Sequence, residues 1–582
     1  MPCLWPFKKY ELDDFLGVHV PLAEAHRHPH AVAEMEKRQF PRINSVDNEQ
    51  QTPRSTGSLS SGYSTFEELK LEVDFDVAAD NRNSPYDRKS KVINKAIQDI
   101  GMGSYQWRLF ILCGFGWLAD NLWLQGLALT LPSLTNEFGV STSYVRFTTF
   151  SVYCGLCFGA VFWGTVSDVV GRRLAFNVTL LITGVFGLAV AFSRSWTTVC
   201  SLYAALGFGV GGNLPVDGTL FLEFLPTSNG NLLTMLSVFW PLGQLLASLI
   251  AWRLIPQNSC DSAIQGECLP AETGDHCCPM QSNMGWRYLN ITMGSITLIM
   301  FVCRFFLFQL FESPKFLLSR DRQREAILVV HAIAYQNGKQ TWLEEGILDA
   351  VGGQLQEKSK PKFSIGEIAR HKLGQFSRRR MGPLFGSKKL GFNTVLLWLC
   401  WATIGLGYPL FNAFLPQYLI NVDPAAPKTP TNIVYRNYAI VSLVGVPGSI
   451  LAWYTVDVPH IGRKGTMAIS AALTGAFLFI FTKGTDSTFQ LTFTCLEAFF
   501  QNIMYGVLYA YTPEIFPAPN RGTGTGIASF LNRIAGLCAP LIGIYASTTS
   551  PKVPIYVSGA LILSAAIAIC LFPIESRGRQ TL

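Results

Sequence analysis

The sequence predicts an all-α integral membrane protein whose twelve transmembrane helices form two six-helix bundles. Two observations lead to this prediction. The 582 residues are 49% hydrophobic and only 15% charged, a composition typical of membrane proteins rather than soluble ones. The apolar residues also form stretches long enough to cross a hydrocarbon layer of about 30 Å.

The twelve predicted helices divide naturally into six and six. Several contain glycine or proline, which membrane helices tolerate when neighbouring helices satisfy the freed backbone groups. Helix 4 is rich in both, between Gly207 and Pro215. The helices are expected to begin near Trp107, Tyr144, Leu174, Thr197, Gly230, Tyr288, Asn393, Tyr435, Gly465, Phe489, Thr523 and Val553.

The segment between helices 2 and 3 reads GTVSDVVGRR, from Gly164 to Arg173. Gly164 permits close helix approach, Asp168 ends helix 2, and Gly171 turns the chain. Arg172 and Arg173 are expected to stay on the cytosolic side. This spacing is typical of a hinge in a solute transporter, and an ordinary positively charged cytosolic loop is the alternative.

The basic loops fix the expected orientation. Lys and Arg concentrate after helices 2, 6, 8 and 10, so these loops and both termini are predicted to face the cytosol. The predicted parts are a disordered cytosolic tail over 1–103, bundles over 104–311 and 391–573, a cytosolic linker over 312–390, and a cytosolic tail over 574–582. We expect a multi-pass monomer in the lipid bilayer, with the plasma membrane favoured over a vacuolar or vesicular one.

Four of the fourteen cysteines lie in the loop 254–287, which this topology places outside the cytosol. In an oxidising compartment four cysteines most simply form two disulfides, and three pairings are open. The neighbouring His276 leaves a metal site as the alternative, although the spacing fits no standard zinc site. The four residues are Cys260, Cys268, Cys277 and Cys278.

Ionisable residues inside a bilayer are costly and mark candidate functional sites. Counting about 1.5 Å per residue places Asp120, Glu497 and Arg533 near the bilayer centre, and Asp217 and Arg304 in the cytosolic third. Asp120, Asp217 and Glu497 are therefore the candidates for proton coupling.

Each of these residues also has a structural alternative. Asp120 could form a hydrogen bond with a polar group such as Asn213, and Arg533 could neutralise Glu497. Arg304 is expected to pair with Asp217 or to snorkel.

Aromatic and amide side chains on helices 1, 4, 5, 7 and 10 complete the predicted pocket for a small polar solute. Packing and anchoring at the membrane interface are the alternative roles of such side chains. The pocket candidates are Trp117, Trp123, Gln125, Asn213, Trp240, Gln244, Tyr408, Asn412, Gln417, Asn502 and Tyr505.

Four further motifs carry a family resemblance. They read FESPKFLL from Phe311 to Leu318, YTPEIFPAPNRGTGTG from Tyr511 to Gly526, PIESRGR from Pro573 to Arg579, and GVGGNLPVDGTLFLEFLP from Gly209 to Pro226. From about residue 107 to residue 579 the chain resembles a major facilitator superfamily transporter. It is similar to the sugar porters, the organic-ion transporters and the fungal and animal relatives of synaptic vesicle transporter-like proteins.

The resemblance implies the major facilitator fold and a charge network that opens and closes the cytosolic side. The second-half counterpart of the hinge, DVPHIGRK, has a longer spacing from Asp457 to Gly462 than the first. Simple capping of helix ends is the alternative role for these charges. The gating candidates are Gly164, Asp168, Gly171, Arg172, Arg173, Glu223, Arg304, Glu312, Lys315, Asp457, Gly462, Arg463, Lys464, Glu514 and Arg521.

The resemblance also implies that Arg533, on helix 11, favours an anionic solute, since a charged residue near this position helps organic-ion transporters to discriminate anions from cations. We therefore predict proton-coupled symport of a small polar organic solute by alternating access. A sugar transporter or a uniporter of the same fold is the nearest alternative, and a non-transporting receptor or trafficking protein is the alternative of another class. No enzyme, cofactor, resident metal or nucleic-acid motif is recognised in the sequence.

Overall fold

The structure is a computed structural model. It describes residues 11–15, 17–25, 66–79, 85–226, 229–260, 278–306, 308–353, 382–413, 415, 430–456, 458, 461–484, 486–516, 521–546, 550 and 552–575. The chain divides into two compact units. One comprises Met1–Ile111, Thr219–Gly230 and Phe308–Lys362, and the other comprises Leu112–Gly218, Asn231–Leu307 and Phe363–Leu582.

The predicted helices are all present among the described residues, and the fold is that of a twelve-helix membrane protein. We label the membrane helices α1 to α12 in chain order. Their bounds are Ser104–Phe138, Phe147–Val170, Arg172–Val190, Trp196–Phe224, Phe239–Leu254, Gly285–Phe306, Lys388–Asn412, Thr431–Thr455, Gly462–Phe481, Ser487–Ile515, Arg521–Ala546 and Val553–Cys570.

Among the described residues ten segments are long and apolar enough to cross a membrane; one of them, Leu232–Leu254, joins α5 to the short helical segment before it, and α1 and α10 contain none of the ten. Their lower apolarity has a local cause. α1 carries Asp120, Asn121 and Gln125, whereas α10 carries Glu497 and Gln501 in its interior. Since polar groups facing lipid cannot be satisfied, these two helices must turn their polar faces towards other helices or a wet cavity.

Gly171 and Gly462 make matching turns in the two halves of the chain. Gly171, with φ +116°, separates α2 from α3, and Gly462, with φ +62°, begins α9 after α8. Both φ values lie in the region that glycine adopts readily. We call this side of the helices the Arg172 end. The opposite side, where α5 ends near Cys260, is the Cys260 end.

The first unit contains short helices that correct the predicted tail. Segments of 1–103 fold as helices over Phe66–Ala79 and Pro85–Ile100, although the whole tail was expected to be disordered. Composition averaged over the tail conceals a helical repeat of apolar residues, of which Val92, Ile93 and Ala96 are buried. The strongly polar stretch 44–65 lies outside the described residues.

The linker also contains helices, over Pro314–Ser319, Gln323–Gln336 and Glu345–Gly352. The buried Lys89 ammonium lies 2.6 Å from Asp349 Oδ1 and donates to it. Partial burial raises the pKa of Asp349, but hydrogen bonds from Lys89 and Gln323 outweigh it and lower the pKa below its ordinary value.

Cys260 and Cys278 are paired in the structure, with their Cα atoms 6.0 Å apart. This separation lies within the usual range for disulfides. Cys268 and Cys277 lie outside the described residues, so the predicted second disulfide cannot be compared with the structure.

A buried ion pair joins four helices of the first bundle. Arg304 Nη2 on α6 lies 2.7 Å from Asp217 Oδ2 on α4, and both side chains are fully buried. The same guanidinium donates to the carbonyls of Leu112 on α1 and Phe176 on α3, and it stacks 3.5 Å from the Phe176 ring. Arg304 therefore fixes the interior of the first bundle. This pairing with Asp217 is one of the two alternatives expected for Arg304.

The ion pair provides a stability test. Arg304→Leu leaves Asp217 buried without its counter-charge, and removing one partner of a buried pair costs about 3–5 kcal/mol. We expect a clear fall in the apparent melting temperature of the purified protein in detergent, measured by intrinsic fluorescence. The double change Asp217→Asn with Arg304→Leu should restore part of the loss. An equal fall in melting temperature in the single and double variants would show that the charge pairing does not stabilise the protein.

Candidate functional site

Large aromatic side chains from both halves of the chain meet in the interior. Trp117 on α1 stacks on Trp240 of α5, with ring centroids 4.8 Å apart. Tyr509 on α10 packs edge-on against Trp240 at 4.7 Å, and Tyr505 contacts Tyr408 of α7 at 5.6 Å. The indole N–H groups of Trp117 and Trp240 are buried and have no hydrogen-bond partner among the described residues. Such donors are available to a polar ligand.

Amide and hydroxyl groups connect the two halves beside this cluster. Gln244 Nε2 on α5 donates to Asn121 Oδ1 on α1 at 3.2 Å and to the Tyr408 hydroxyl on α7 at 2.9 Å. Ser248 on α5 lies 3.4 Å from Ser442 on α8. These polar side chains already form hydrogen bonds with one another. A solute could bind them only by replacing those hydrogen bonds with its own.

A recess lies next to these contacts, with about 360 Å³ of empty space including open solvent. Its polar lining comprises Gln125, Thr149, Tyr153, Tyr408 and Asn412. The lining residues come from α1, α2 and α7. Because both halves of the chain contribute to the recess, relative movement of the halves would change its shape.

Asp120 lies on α1, one turn after Trp117, and is almost fully buried. Asn213 Nδ2 on α4 donates to Asp120 Oδ1 at 2.9 Å, as the structural alternative anticipated. Asp120 Oδ2 accepts no hydrogen bond from the described residues. One oxygen is thus held in place, and the other is available to a proton or a ligand.

Glu497 lies on α10 and is 1% exposed. Gln501 Nε2, one turn later, donates to Glu497 Oε1 at 2.6 Å. Asn412 of α7 lies beside this pair and donates to Gln501 Oε1 at 3.4 Å. Glu497 Oε2, like Asp120 Oδ2, has no hydrogen-bond partner in the described part of the chain.

Arg533 on α11 does not neutralise Glu497. Within the described residues no carboxylate lies within the 4 Å of an ion pair with Arg533, so that alternative is wrong. The guanidinium is close enough for its charge to act on Asp120, Tyr153 and Tyr505. A partly buried cation beside aromatic and hydroxyl groups is suited to hold an anion.

Of three further predicted pocket residues, one packs between helices, one bonds to its own helix, and one cannot be compared. Trp123 packs against Gly187 and donates from Nε1 to Thr297 at 3.1 Å, so it stabilises the packing of α1, α3 and α6. Asn502 donates to the Ala498 carbonyl of its own helix at 2.8 Å. Both side chains find partners in the helix packing. Gln417 lies outside the described residues.

Contacts between the halves close the Cys260 end. Arg146, just before α2, donates to the Gly543 carbonyl of α11. Trp252 on α5 donates to Asn432 on α8 at 2.6 Å. In addition, the Tyr435 hydroxyl donates to the Leu129 carbonyl at 2.9 Å. These bonds join helices of opposite halves and must break if this end is to open.

At the Arg172 end, a charged group surrounds the start of α9. Arg463 donates from Nη2 to Glu514 Oε1 at 2.8 Å, and the backbone N–H groups of Arg463 and Lys464 donate to the Glu575 carboxylate at 3.1 and 3.0 Å. Lys464 Nζ also donates to the Phe572 carbonyl. A carboxylate at this position caps the helix N-terminus.

The other gating candidates lie at helix ends and at the start of the linker. Gly164 lies within α2, Arg172 and Arg173 begin α3, and Glu223 lies in the last turn of α4. Glu312 Oε1 accepts the Ser313 N–H at 3.2 Å, and Lys315 begins a short helix. The side chains of Asp168 and Arg521, and Asp457 as a whole, lie outside the described part of the structure.

With this geometry described, sequence comparison decides the family. The sequence model of the family described as "Sugar (and other) transporter" matches residues 75–581. MFS siderochrome iron transporter 1 of Ceriporiopsis subvermispora (strain B) is 45% identical over 500 residues, which are 85% of this chain and 92% of the relative. The chain belongs to the sugar (and other) transporter family of the major facilitator superfamily. It is therefore a multi-pass membrane transporter and not an enzyme.

More distant relatives of this major facilitator transporter extend the comparison. Major facilitator-type transporter hxnZ of Emericella nidulans is 36% identical, over 85% of this chain and 88% of the relative. Organic cation/carnitine transporter 7 of Arabidopsis thaliana is 27% identical, over 84% and 95%. The solved structure of the proton:xylose symporter XylE bound to 6-bromo-6-deoxy-D-glucose has a TM-score of 0.60 at 19% identity, covering 82% of this chain and 98% of XylE. This last similarity shows the fold alone.

Sequence reasoning missed several residues of the transporter's interior. Tyr509 follows Tyr505 by one helical turn, a spacing that could have identified it. Tyr153, Ser248 and Ser442 gave no such signal, because isolated hydroxyl groups in apolar helices are common and their meeting depends on helix packing.

Two conservative substitutions distinguish site aromatics from packing aromatics. Trp240→Phe removes the indole N–H that is available to a solute, and the loss of one such hydrogen bond costs about 0.5–1.5 kcal/mol, so the transport KM should rise about two- to tenfold. Trp123→Phe should lower the apparent melting temperature and leave KM unchanged. Uptake of labelled solute and thermal unfolding measure the two effects. A KM change in Trp123→Phe equal to that in Trp240→Phe would refute this assignment.

Proposed function

We propose that this transporter carries out proton-coupled symport of a small organic anion by alternating access. The observation that supports this most directly is Arg533, a partly buried cation with no ion-pair partner among the described residues. A charge inside the membrane region is costly unless something compensates it. A carboxylate or other anionic group of the solute would do so.

The surrounding side chains suit the rest of such a solute. Trp117, Trp240 and Tyr505 offer aromatic faces, and Gln244 and Asn412 offer amide groups. Aromatic faces contact the apolar part of a small solute while amides bind its polar groups. The lining thus favours a solute with one anionic group, further polar groups and an apolar portion.

Asp120 is proposed as the proton carrier. The Arg533 charge acts on Asp120, and a solute anion bound to Arg533 would offset that charge. Asp120 Oδ2 would then bind a proton more tightly when solute is present. In turn, the transporter would bind the solute more tightly when Asp120 is protonated. This reciprocity is the coupling that symport requires. Asp217 has a weaker case for this role, because Arg304 already compensates its charge.

Movement of the halves would complete the cycle. We propose that the Arg172 end faces the cytosol, with both termini there, and that the plasma membrane is the site of action.

The Arg463–Glu514 pair belongs to a group of charges whose contacts would break when the cytosolic side opens. Both side chains of this pair are mostly buried, at 12% and 17% exposure, so opening would have to replace the pair with other polar partners.

A disulfide between Cys260 and Cys278 is also proposed for the extracytosolic loop. Under non-reducing conditions, Cys260→Ser and Cys278→Ser should each expose one additional thiol to maleimide, whereas Cys570→Ser should remove a reactive thiol. Mass spectrometry of the labelled peptides identifies the thiol. Labelling of both Cys260 and Cys278 in the unreduced parent protein would exclude the bond.

The transport test uses purified protein in liposomes that contain a pH dye. The panel comprises organic anions, a ferric siderochrome, organic cations, amino acids and sugars. Solute-driven acidification is expected for an organic anion. Arg533→Gln should raise KM at least about tenfold, because the loss of a charge partner costs about 2–5 kcal/mol. Asp120→Asn should abolish acidification while labelled solute still exchanges.

Arg253→Gln is the matched control, since Arg253 is an exposed arginine at the end of α5. Its KM should equal that of the parent protein. Acidification driven by sugars and insensitive to Arg533→Gln would assign the protein to sugar transport. Solute exchange without acidification would make it a uniporter, and the absence of any movement across the whole panel would favour a receptor role.

A further inference from the structure

A polar stripe runs along one face of α10. Gln490, Thr494, Glu497 and Gln501 follow one another at spacings of four, three and four residues, which place them on one side of a helix. Their exposed fractions are 7%, 4%, 1% and 5%. The stripe begins in the first turn of α10, at the Cys260 end, and reaches about 15 Å inward at Glu497.

A second recess lies over the outer part of this stripe, between α8 and α10. It contains about 410 Å³ of empty space including open solvent, and Asn437, Tyr438, Ser487, Gln490 and Thr494 form its polar lining. The buried Tyr438 hydroxyl has no hydrogen-bond partner in the described part of the chain. A recess with several polar groups is suitable for water.

Glu497 lies one helical turn inward of Thr494, the innermost residue of the stripe that lines this recess. Tyr438 on α8 and Tyr408 on α7 are titratable groups near enough for the charge of Glu497 to act on them. Glu497 Oε2 has no hydrogen-bond partner within the described residues. Two buried polar groups, one on each of two packed helices, therefore remain available beside the same recess.

The stripe also reaches the central recess. Gln501 donates to Glu497 Oε1, and Asn412 donates to Gln501 Oε1. Asn412 in turn lines the recess with Tyr408, Gln125 and Tyr153. Polar side chains thus follow one another, about one helical turn apart, as a series from the start of α10 to the candidate solute site.

We propose that this series is a hydrated proton route from the Cys260 end to the solute site, with Glu497 as its proton-accepting group. The proposal rests on the proposed proton coupling and adds the path. A hydronium ion in the outer recess transfers one proton to Glu497 Oε2, and water and a carboxylic acid result. Tyr438 can relay a proton by accepting one at its oxygen while donating its own. Glu497 later gives its proton to water in the central recess.

Thr494 is the residue of the stripe between the outer recess and Glu497. It donates to the Gln490 carbonyl at 2.7 Å, so its oxygen is held in place with lone pairs free to accept a hydrogen bond from water. Thr494→Val has a similar volume but lacks that acceptor. Tyr438→Phe removes only the hydroxyl. Both changes should leave the helix packing intact and interrupt the route.

The first experiment needs no transported solute. The full chain in lipid is transferred to D2O, and the deuterium shift of the Glu497 carboxylic acid band, identified by its loss in Glu497→Gln, is followed by infrared spectroscopy. Thr494→Val and Tyr438→Phe should slow the shift at least tenfold. The matched controls, Thr492→Val and Tyr454→Phe, change exposed residues on the same helices and should exchange like the parent protein.

Parent-like exchange in both recess variants, or equal slowing in the controls, would overturn the route. Absence of a Glu497 band between about pH 4 and about pH 9 would overturn Glu497 as the proton carrier. Solute-driven acidification of the parent protein tests the proposed symport separately. A parent that exchanges through the route but shows no coupled transport would refute the symport proposal alone.

Discussion

The interior of this transporter is organised by one constraint, which is that lipid offers no hydrogen bonds. Each polar or charged side chain on a membrane helix must therefore find a partner inside the protein or line a wet cavity. Asp217 and Arg304 satisfy the requirement by pairing with each other and with backbone carbonyls. Asp120, Glu497 and Arg533 satisfy it less completely, and we propose these three, rather than the paired groups, for a part in transport.

The division between these two classes follows the helices. The Arg304 pair holds α1, α3, α4 and α6 within the first half, so it need not change when the halves move. The aromatic cluster and the bond from Gln244 to Tyr408 instead join the two halves. Alternating access requires rigid halves and exchangeable contacts between them. The buried contacts described above supply both.

Comparison with relatives and the geometry of the site inform different aspects of function. Family membership establishes a transporter of small solutes, because the match spans residues 75–581. Solute class depends instead on particular side chains, since one fold serves many solutes. The cation at Arg533 and the stripe around Glu497 are features of this kind, and their meaning depends on which groups pack around them.

The sequence by itself determined the membrane class, the twelve helices, the glycine turns at Gly171 and Gly462, and the candidate charges on α1, α10 and α11. The length and apolarity of a helical segment and the backbone freedom of glycine are local properties, so they can be read directly from the sequence. Only tertiary structure decided that Trp123 packs against Gly187 and that Arg533 does not meet Glu497. Each of these outcomes depends on which helix faces lie against one another, and residues far apart in the chain determine that arrangement.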